Sequence, residues 1–117
     1  MRLRLNQDML RAAYAYFAET EPFVRWNLPD ANDVRFKVVR ARDCFAWHDK
    51  KRGKGHIIAV SGSLIATTMK LMETMAHEMC HLYVAQHSIR DSSGHGKAWQ
   101  KARDRVCSVH GFDPKSF

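Results

Sequence analysis

Three segments of the chain carry hydrophobic residues at helical spacing. In the first segment these positions follow i, i+3, i+4 and i+7, and they are Leu10, Ala13, Tyr14 and Phe17. This stripe predicts an amphipathic helix with Asn6 as its N-cap and an end near Thr20-Glu21-Pro22. The last segment runs from about Lys97 to Val109, with Gly111 as its C-cap. Its apolar stripe consists of Trp99, Ala102, Val106 and Val109.

The middle segment predicts the longest helix. Ser61-Gly62-Ser63 is a start signal, and the run from Leu64 through Val84 contains neither proline nor glycine. Five apolar residues of this run have the spacing of a core-facing stripe, namely Leu71, Met72, Met75, Met79 and Leu82. Polar side chains on a mostly buried helix are costly unless something pairs them, so any histidine or glutamate in this run needs an explanation.

The region between the first two helices has the pattern of a small sheet. Residues 34–40 alternate apolar and basic side chains, which indicates a half-buried strand whose basic side faces water. Residues 44–47 and 56–61 are two further predicted strands. The charged, glycine-containing stretch 49–55 joins them as the loop of a hairpin. We therefore expect about three strands, all preceding the long helix.

Length and composition limit the architecture further. With 117 residues, of which 45% are hydrophobic, the chain has material for one core, so we expect one α+β domain over residues 1–117. The loop from Pro22 to Asp33 is expected to pack on this core through Phe23, Trp26 and Leu28, with exposure of Trp26 to a partner as the alternative. The charged start of the chain and the lack of a long apolar run predict a protein that is neither secreted nor membrane-bound.

The middle helix contains the sequence His77-Glu78-Met79-Cys80-His81. Histidines four residues apart leave the same face of a helix about one turn apart, which suits a shared metal ion. Neutral imidazole is a good zinc ligand, and catalytic zinc sites use three protein ligands and leave the fourth position to water. Glu78 follows the first histidine and would lie beside the metal as a general base. The pattern therefore predicts a hydrolytic zinc site.

The third ligand is less certain from the sequence than the first two. His95 is the best candidate, because Gly94 and Gly96 allow the backbone to approach the motif helix closely. His87, Asp104 and His110 are the alternatives. His87 lacks the glycine turn that would redirect it to the metal, and a continuous helix carries it away from His81. The three cysteines show no paired spacing, which favours a reducing cytosol, and Cys80 is expected to be a buried apolar residue.

Taken together, the motif residues resemble those of the SprT-like family of zinc metalloproteases. The resemblance rests on the His77–His81 motif, the later Gly94-His95-Gly96 and Trp99, and the strand 58–61 before the helix. It implies one Zn²⁺ held by His77, His81 and His95, with Glu78 as the catalytic acid and base. It also implies a minimal zincin-like fold with the motif on the central helix, an edge strand that holds an extended substrate, and cleavage of proteins on DNA.

Many SprT-like relatives continue into a cysteine-rich zinc ribbon, and the three cysteines here, which show no CxxC spacing, predict none. We therefore expect any DNA binding to come from the catalytic domain itself. Lys and Arg total 19 against 12 acidic residues, a net charge of +7, which favours association with polyanions. The first candidate surface is the hairpin loop with Lys50, Lys51, Arg52 and Lys54. Further candidates are Arg2, Arg4, Lys97, Lys101, Arg103 and Arg105, and each patch alone has a solvated surface as its alternative.

The leading hypothesis is a monomeric zinc endopeptidase that acts on proteins bound or crosslinked to single-stranded or junction-type DNA. Trp47, near the basic loop, is a candidate for stacking on an unpaired base, with packing in the core as the alternative. The main alternative is a DNA-binding or adaptor module that keeps zinc for structure, although such a site has no use for Glu78. A zinc hydrolase of another amide is a third hypothesis. No motif identifies the side chain that stabilises the oxyanion, and His56 and Tyr83 are the candidates named for it.

Overall fold

Three α-helices and a three-stranded sheet make up the part of the chain that the computed structural model describes, which is residues 3–51, 53, 55–87 and 94–117. The helices are α1 (Gln7–Ala18), α2 (Thr68–Gln86) and α3 (Lys97–His110), and the strands are β1 (Arg35–Val39), β2 (Ala46–Lys51) and β3 (Gly55–Ser61). Two short 3₁₀ turns, Phe23–Arg25 and Ala31–Asp33, lie between α1 and β1. This is the α+β domain that the sequence predicts.

The outer helices begin and end where the sequence indicates. The side chain of Asn6 accepts a hydrogen bond from the backbone of Met9 at 2.9 Å, so Asn6 is the N-cap of α1. Gly111 ends α3 with a φ of 81°, a left-handed conformation that glycine adopts without strain. The predicted stripe of α1 is fully buried. The prediction for Val109 is wrong: it is 54% exposed, and Val106 and Cys107 occupy the buried side of the last turn of α3.

The predicted start of the middle helix is four residues too early. Thr67, and not the Ser61–Ser63 signal, is the N-cap of α2, and its hydroxyl accepts a hydrogen bond from the backbone of Lys70 at 3.1 Å. Ser61 instead ends β3, and its side chain accepts a hydrogen bond from the backbone of Leu64. This local cap resembles a helix start, but it closes only the turn that carries the chain from the sheet to α2, with Ile65 buried in the core.

The sheet has the strand order β1-β3-β2, with β1 parallel and β2 antiparallel to the central strand β3. The hairpin is tighter than the sequence predicts, because β2 starts at Ala46 and continues through Lys51. Lys50 and Lys51 pair with His56 and Gly55, so these two lysines lie on the strand and not in a loop. Exposed lysines are common on an edge strand, since they remain solvated while the backbone pairs.

The core lies between the sheet and the helices α1 and α2, and α3 packs on the other side of α2. Trp26 is buried there and stacks on Tyr83 with ring centroids 4.2 Å apart, so it serves packing as predicted. On β1, Phe36 is buried while Arg35 and Lys37 are exposed, which confirms the basic outer side of this strand. Among the described helices, none is long and apolar enough to cross a membrane.

Candidate metal centre and catalytic cleft

Three imidazole rings converge at one point on the surface of α2. His77 and His81 project from α2 one turn apart, and His95 reaches them from the segment before α3. The Nε2 atom of His81 lies 3.3 Å from Nε2 of His77 and 3.1 Å from Nε2 of His95. One ligand atom from each ring lies within 4.8 Å of the others. The three residues could therefore hold one metal ion.

Two of the separations between donor atoms fit a tetrahedral ion of the size of zinc. Two nitrogens that are each about 2.0–2.1 Å from one ion at a tetrahedral angle are about 3.3–3.4 Å apart. The measured separations of 3.3 Å and 3.1 Å are close to this value. Among the described residues the set consists of three protein ligands, which is the number that catalytic zinc sites use.

The indole ring of Trp99 forms a wall behind the three histidines. Its centroid lies 4.9 Å from that of His77, 5.3 Å from that of His81 and 4.2 Å from that of His95. Trp99 is buried on α3, so its ring is fixed by the packing of α3 against α2. The helix that follows His95 therefore also restricts where the three imidazoles can point.

His77 is held in its neutral form by its surroundings. Burial and the neighbouring His95 lower the pKa of His77 to about 4, which leaves its ring uncharged at neutral pH. The backbone of Phe117 accepts a hydrogen bond from His77. Metal-binding histidines commonly donate their second ring N–H to such a carbonyl, which fixes the tautomer and turns the free nitrogen toward the ion.

Glu78 lies beside this centre and not within it. The carboxylate is 4% exposed, and its Oε2 atom is 3.8 Å from Nε2 of His77. Burial raises the pKa of Glu78 to about 8, because the charged form loses solvation. A divalent cation at the three histidines would favour the carboxylate and lower that pKa again. The geometry is that of a proton acceptor next to an ion.

Two cavities meet at His77 and Glu78, and the edge strand β2 borders both of them. The larger cavity lies toward the C-terminal half of α2, beside His81 and His95, and Trp47 and His48 of β2 line its other side. The smaller cavity lies toward the start of α2. Together they form a cleft between β2 and α2 with His77 and Glu78 at its centre.

His48 is a cleft residue that the sequence did not single out. Its Nε2 atom lies 2.8 Å from Nδ1 of His56, the residue named from sequence as a possible oxyanion partner. Burial and the nearby His56 lower the pKa of His48 to about 4, so His48 is uncharged at neutral pH. His48, not His56, lines the large cavity together with His77, Glu78, His81 and His95. Tyr83, the other candidate, stacks on Trp26 and does not line either cavity of the cleft.

The alternative third ligands have structural contacts elsewhere. Nε2 of His87 lies 3.2 Å from the carbonyl oxygen of Trp26, and Nε2 of His110 lies 2.9 Å from the carbonyl oxygen of Glu21. Asp104 pairs with Arg103 at 2.9 Å. Cys80 is fully buried, as expected of an apolar residue.

The basic residues proposed for DNA binding are only partly within the described chain. Lys50 and Lys51 are exposed on β2, beyond the cleft-lining residues 46–48 of the same strand. Lys51 lies 4.0 Å from Asp49, an exposed ion pair that contributes little. Arg52, Lys54 and Arg2 lie outside the described residues. On α3, Lys97, Lys101 and Arg105 are exposed, whereas Arg103 lies over the ring of Trp99.

Comparison with known proteins agrees with this geometry. The sequence matches none of the curated proteins with which it was compared. Against protein-family models, residues 7–116 match the SprT-like family, so the match covers nearly the whole chain. It includes the three histidines, Glu78 and the strand that borders the cleft. This match over nearly the whole chain shows that the chain belongs to the SprT-like family.

Proposed function

We propose that this protein is a zinc metalloendopeptidase that cleaves proteins bound or crosslinked to DNA. The observation that carries the proposal is the convergence of three imidazole Nε2 atoms next to a buried glutamate in an open cleft. Membership of the SprT-like family supports a metallopeptidase-like domain.

His77, His81 and His95 would hold the ion. When bound, zinc supplies Lewis-acid chemistry, because it polarises a carbonyl oxygen and lowers the pKa of a water molecule to about 7. Glu78 accepts the proton of the attacking water and delivers it to the leaving amine. Burial of Glu78 strengthens these transfers, since the carboxylate is not already stabilised by bulk water. The backbone of β2 offers an extended substrate an unpaired strand edge across the cleft.

The DNA component of the proposal rests on charge and its position. The chain carries a net charge of +7, and exposed Lys50 and Lys51 continue the strand that borders the cleft. From Ala46 to Lys51 the strand advances about 16 Å, at about 3.3 Å per residue. DNA held at the end of the hairpin would therefore bring a protein attached to it within reach of Glu78. Trp47, which lines the larger cavity three residues before Lys50, is 40% exposed and could stack on an unpaired base. Action on DNA would place the protein in the nucleoid or the nucleus.

The proposal is tested by cleavage of a basic DNA-binding protein with the zinc-loaded enzyme. The reactions contain no DNA, double-stranded DNA, single-stranded DNA or a single-strand junction. We expect cleavage to increase with DNA, most strongly with the two substrates that expose unpaired bases. Equal rates with and without DNA would refute the DNA component and favour a zinc hydrolase of unrelated proteins or amides.

The proposed DNA surface is tested by changing Lys50 and Lys51 together to Gln. The matched control is Lys37→Gln, an exposed lysine on the opposite edge strand β1. The double variant should bind DNA more weakly, and the slope of log K against log salt should fall by about 1.4–1.8, the contribution of two phosphate contacts. If the control loses as much affinity as the double variant, the DNA surface lies elsewhere.

The alternative is a zinc-containing DNA-binding or adaptor module with little proteolytic activity. The open ligand position and the buried Glu78 support the enzyme over this alternative, since a structural zinc site usually closes with four protein ligands. A protein that binds zinc and DNA but cleaves none of the test substrates would make the adaptor function the better account.

A further inference from the structure

The smaller cavity of the cleft has the form of a side-chain pocket. It extends from His77 and Glu78 along the first turns of α2 and has a volume of about 200 Å³. An apolar cavity of about 150 Å³ is large enough for a benzene ring, so this volume suits one isobutyl or phenyl group. The cavity shares both catalytic residues with the larger cavity on the other side of Glu78. A chain that crosses Glu78 in the cleft would therefore place one side chain in it.

Apolar side chains form one part of the pocket wall, namely Phe45, Phe117 and Ala46 at the start of β2. The rest of the lining is polar or charged and consists of Lys70, Glu73, Thr74, His77, Glu78 and Ser116. Phe45 is 46% exposed although it is aromatic, so part of its apolar surface is in contact with water. Covering that surface with an apolar substrate side chain would remove it from water, which favours binding.

The charged residues of the pocket neutralise each other. Nζ of Lys70 lies 2.9 Å from Oε1 of Glu73, and the two side chains are 33% and 17% exposed. Lys70 also lies over the ring of Phe45, with Nζ 4.3 Å from the ring centroid. A charged substrate side chain would lose part of its hydration in this pocket, where Lys70 and Glu73 already pair with each other. An acidic side chain would also meet the carboxylate of Glu78, which disfavours it further.

From this volume, lining and charge balance, we propose that the cavity formed by Phe45, Phe117, Thr74 and the Lys70–Glu73 pair is a specificity pocket. It binds a leucine-sized or phenylalanine-sized side chain of the residue on one side of the scissile bond. The pocket rests on the proposed peptidase function, and it defines which sequences within a DNA-bound protein are cut. Cleavage would then favour exposed segments with a large apolar residue over purely basic tails.

The test uses peptides that differ only at the two residues flanking the scissile bond, with Leu, Phe, Ala, Asp or Lys at one of them. Values of kcat/KM are measured with the zinc-loaded enzyme. Binding of the same peptides is measured with zinc-loaded Glu78→Gln by fluorescence anisotropy, so that the pocket is probed without catalysis. At one of the two positions, the peptides with Leu or Phe should have a kcat/KM at least about 10-fold above that of the Ala peptide. Their kcat/KM should also exceed that of the Asp and Lys peptides.

Two variants test whether the named residues form the pocket. Phe45→Ala removes an exposed wall and should reduce the preference for Leu over Ala, whereas Met69→Ala, at a neighbouring site that is 78% exposed and does not line the cavity, should not. Lys70→Gln leaves Glu73 without its cation and should shift the preference toward a Lys side chain. If Lys70 had a purely structural role, Lys70→Gln would lower kcat/KM for all peptides equally.

The outcomes separate the pocket from the peptidase function. Equal binding of the Leu, Ala and Asp peptides to Glu78→Gln, or no binding, would overturn the pocket. The same is true if Phe45→Ala and Met69→Ala give the same preferences. A retained preference for Leu in binding, without cleavage of any peptide by the wild type, would support the pocket and refute the peptidase function.

Discussion

Replacement of the third histidine, His95, should impair metal binding without impairing folding. His95 is exposed, so replacing it with Ala should change the stability of the zinc-free protein by no more than about 0.5 kcal/mol. Its Nε2 atom is nevertheless 3.1 Å from Nε2 of His81, within the proposed ligand set. We therefore expect His95→Ala to leave the fold intact and to remove most of the stabilisation that zinc provides.

The size of the effect follows from binding linkage. At free zinc 1,000 times above Kd, the wild type gains about 4.1 kcal/mol. Loss of a residue that only orients a ligand weakens metal binding about 10–100-fold, so loss of the ligand itself should cost at least about 100-fold. The variant would then gain only about 1.4 kcal/mol of stability from zinc at the same zinc concentration. For a chain of this size the difference of about 2.7 kcal/mol corresponds to a fall in Tm of about 10 °C.

The assay is thermal unfolding by calorimetry with zinc and with a chelator, together with zinc titration against a chromophoric competitor. His87→Ala is the matched control, because His87 is a histidine close to the motif whose Nε2 contacts the carbonyl oxygen of Trp26. The control should keep the full zinc-dependent shift. A full shift in His95→Ala, or a larger loss in His87→Ala, would refute the assignment of the third ligand.

Two further predictions concern the helix start and the histidine pair. Thr67→Ala should lower the free energy of unfolding by about 1 kcal/mol, because it removes the N-cap of α2. Thr68→Ala, in the first turn of the same helix, should have a smaller effect. Equal losses of stability in chemical denaturation would contradict the assignment of Thr67 as the N-cap. The lowered pKa of His48, about 4, means that folding favours its neutral form, so its contribution to stability is complete above pH 6.5 and is lost as the pH falls toward 4. In zinc-free protein, His48→Gln should therefore reduce the loss of stability on acidification by up to about 1.4 kcal/mol per pH unit. His56, whose pKa is also lowered, still contributes in this variant. An unchanged dependence of stability on pH would contradict the role of His48.

The metal centre could be predicted because its geometry is mostly local. The spacing of His77 and His81 places both rings on one helix face, and the glycines around His95 predicted a close approach to that face. The helices α1 and α3 and the existence of the sheet could also be predicted, because hydrophobic residues recur in each at the spacing of a helix or a strand. The structure places these three histidines together, as the ligand hypothesis requires.

The cleft could not be predicted, because it depends on strand register and long-range packing. His48 pairs with Ile58 across the hairpin, and His56 lies two residues before Ile58, so the two histidines are diagonal neighbours on one face. That relation requires the register of β2 and β3, and the sequence placed β2 two residues too early. Phe117 reaches His77 only because the segment after α3 folds back over the site, which no local pattern signals.

The helix start illustrates a different difficulty. Both Ser61 and Thr67 have hydroxyls that cap a following backbone N–H, at Leu64 and Lys70 respectively. The two signals are alike in sequence, and only the end of β3 at Ser61 decides that the first one closes a turn. Tertiary context therefore selects between two local caps that the sequence presents equally.

The central claim is that Glu78 moves the proton in a metal-dependent cleavage. The most direct measurement compares wild type and Glu78→Gln for zinc content and for cleavage of the same DNA-bound protein. We predict one zinc ion per chain in both proteins and cleavage at least about 100-fold slower in the variant. Equal cleavage by the two proteins would contradict the role of Glu78 as the base, and loss of zinc from the variant would show that Glu78 is a ligand.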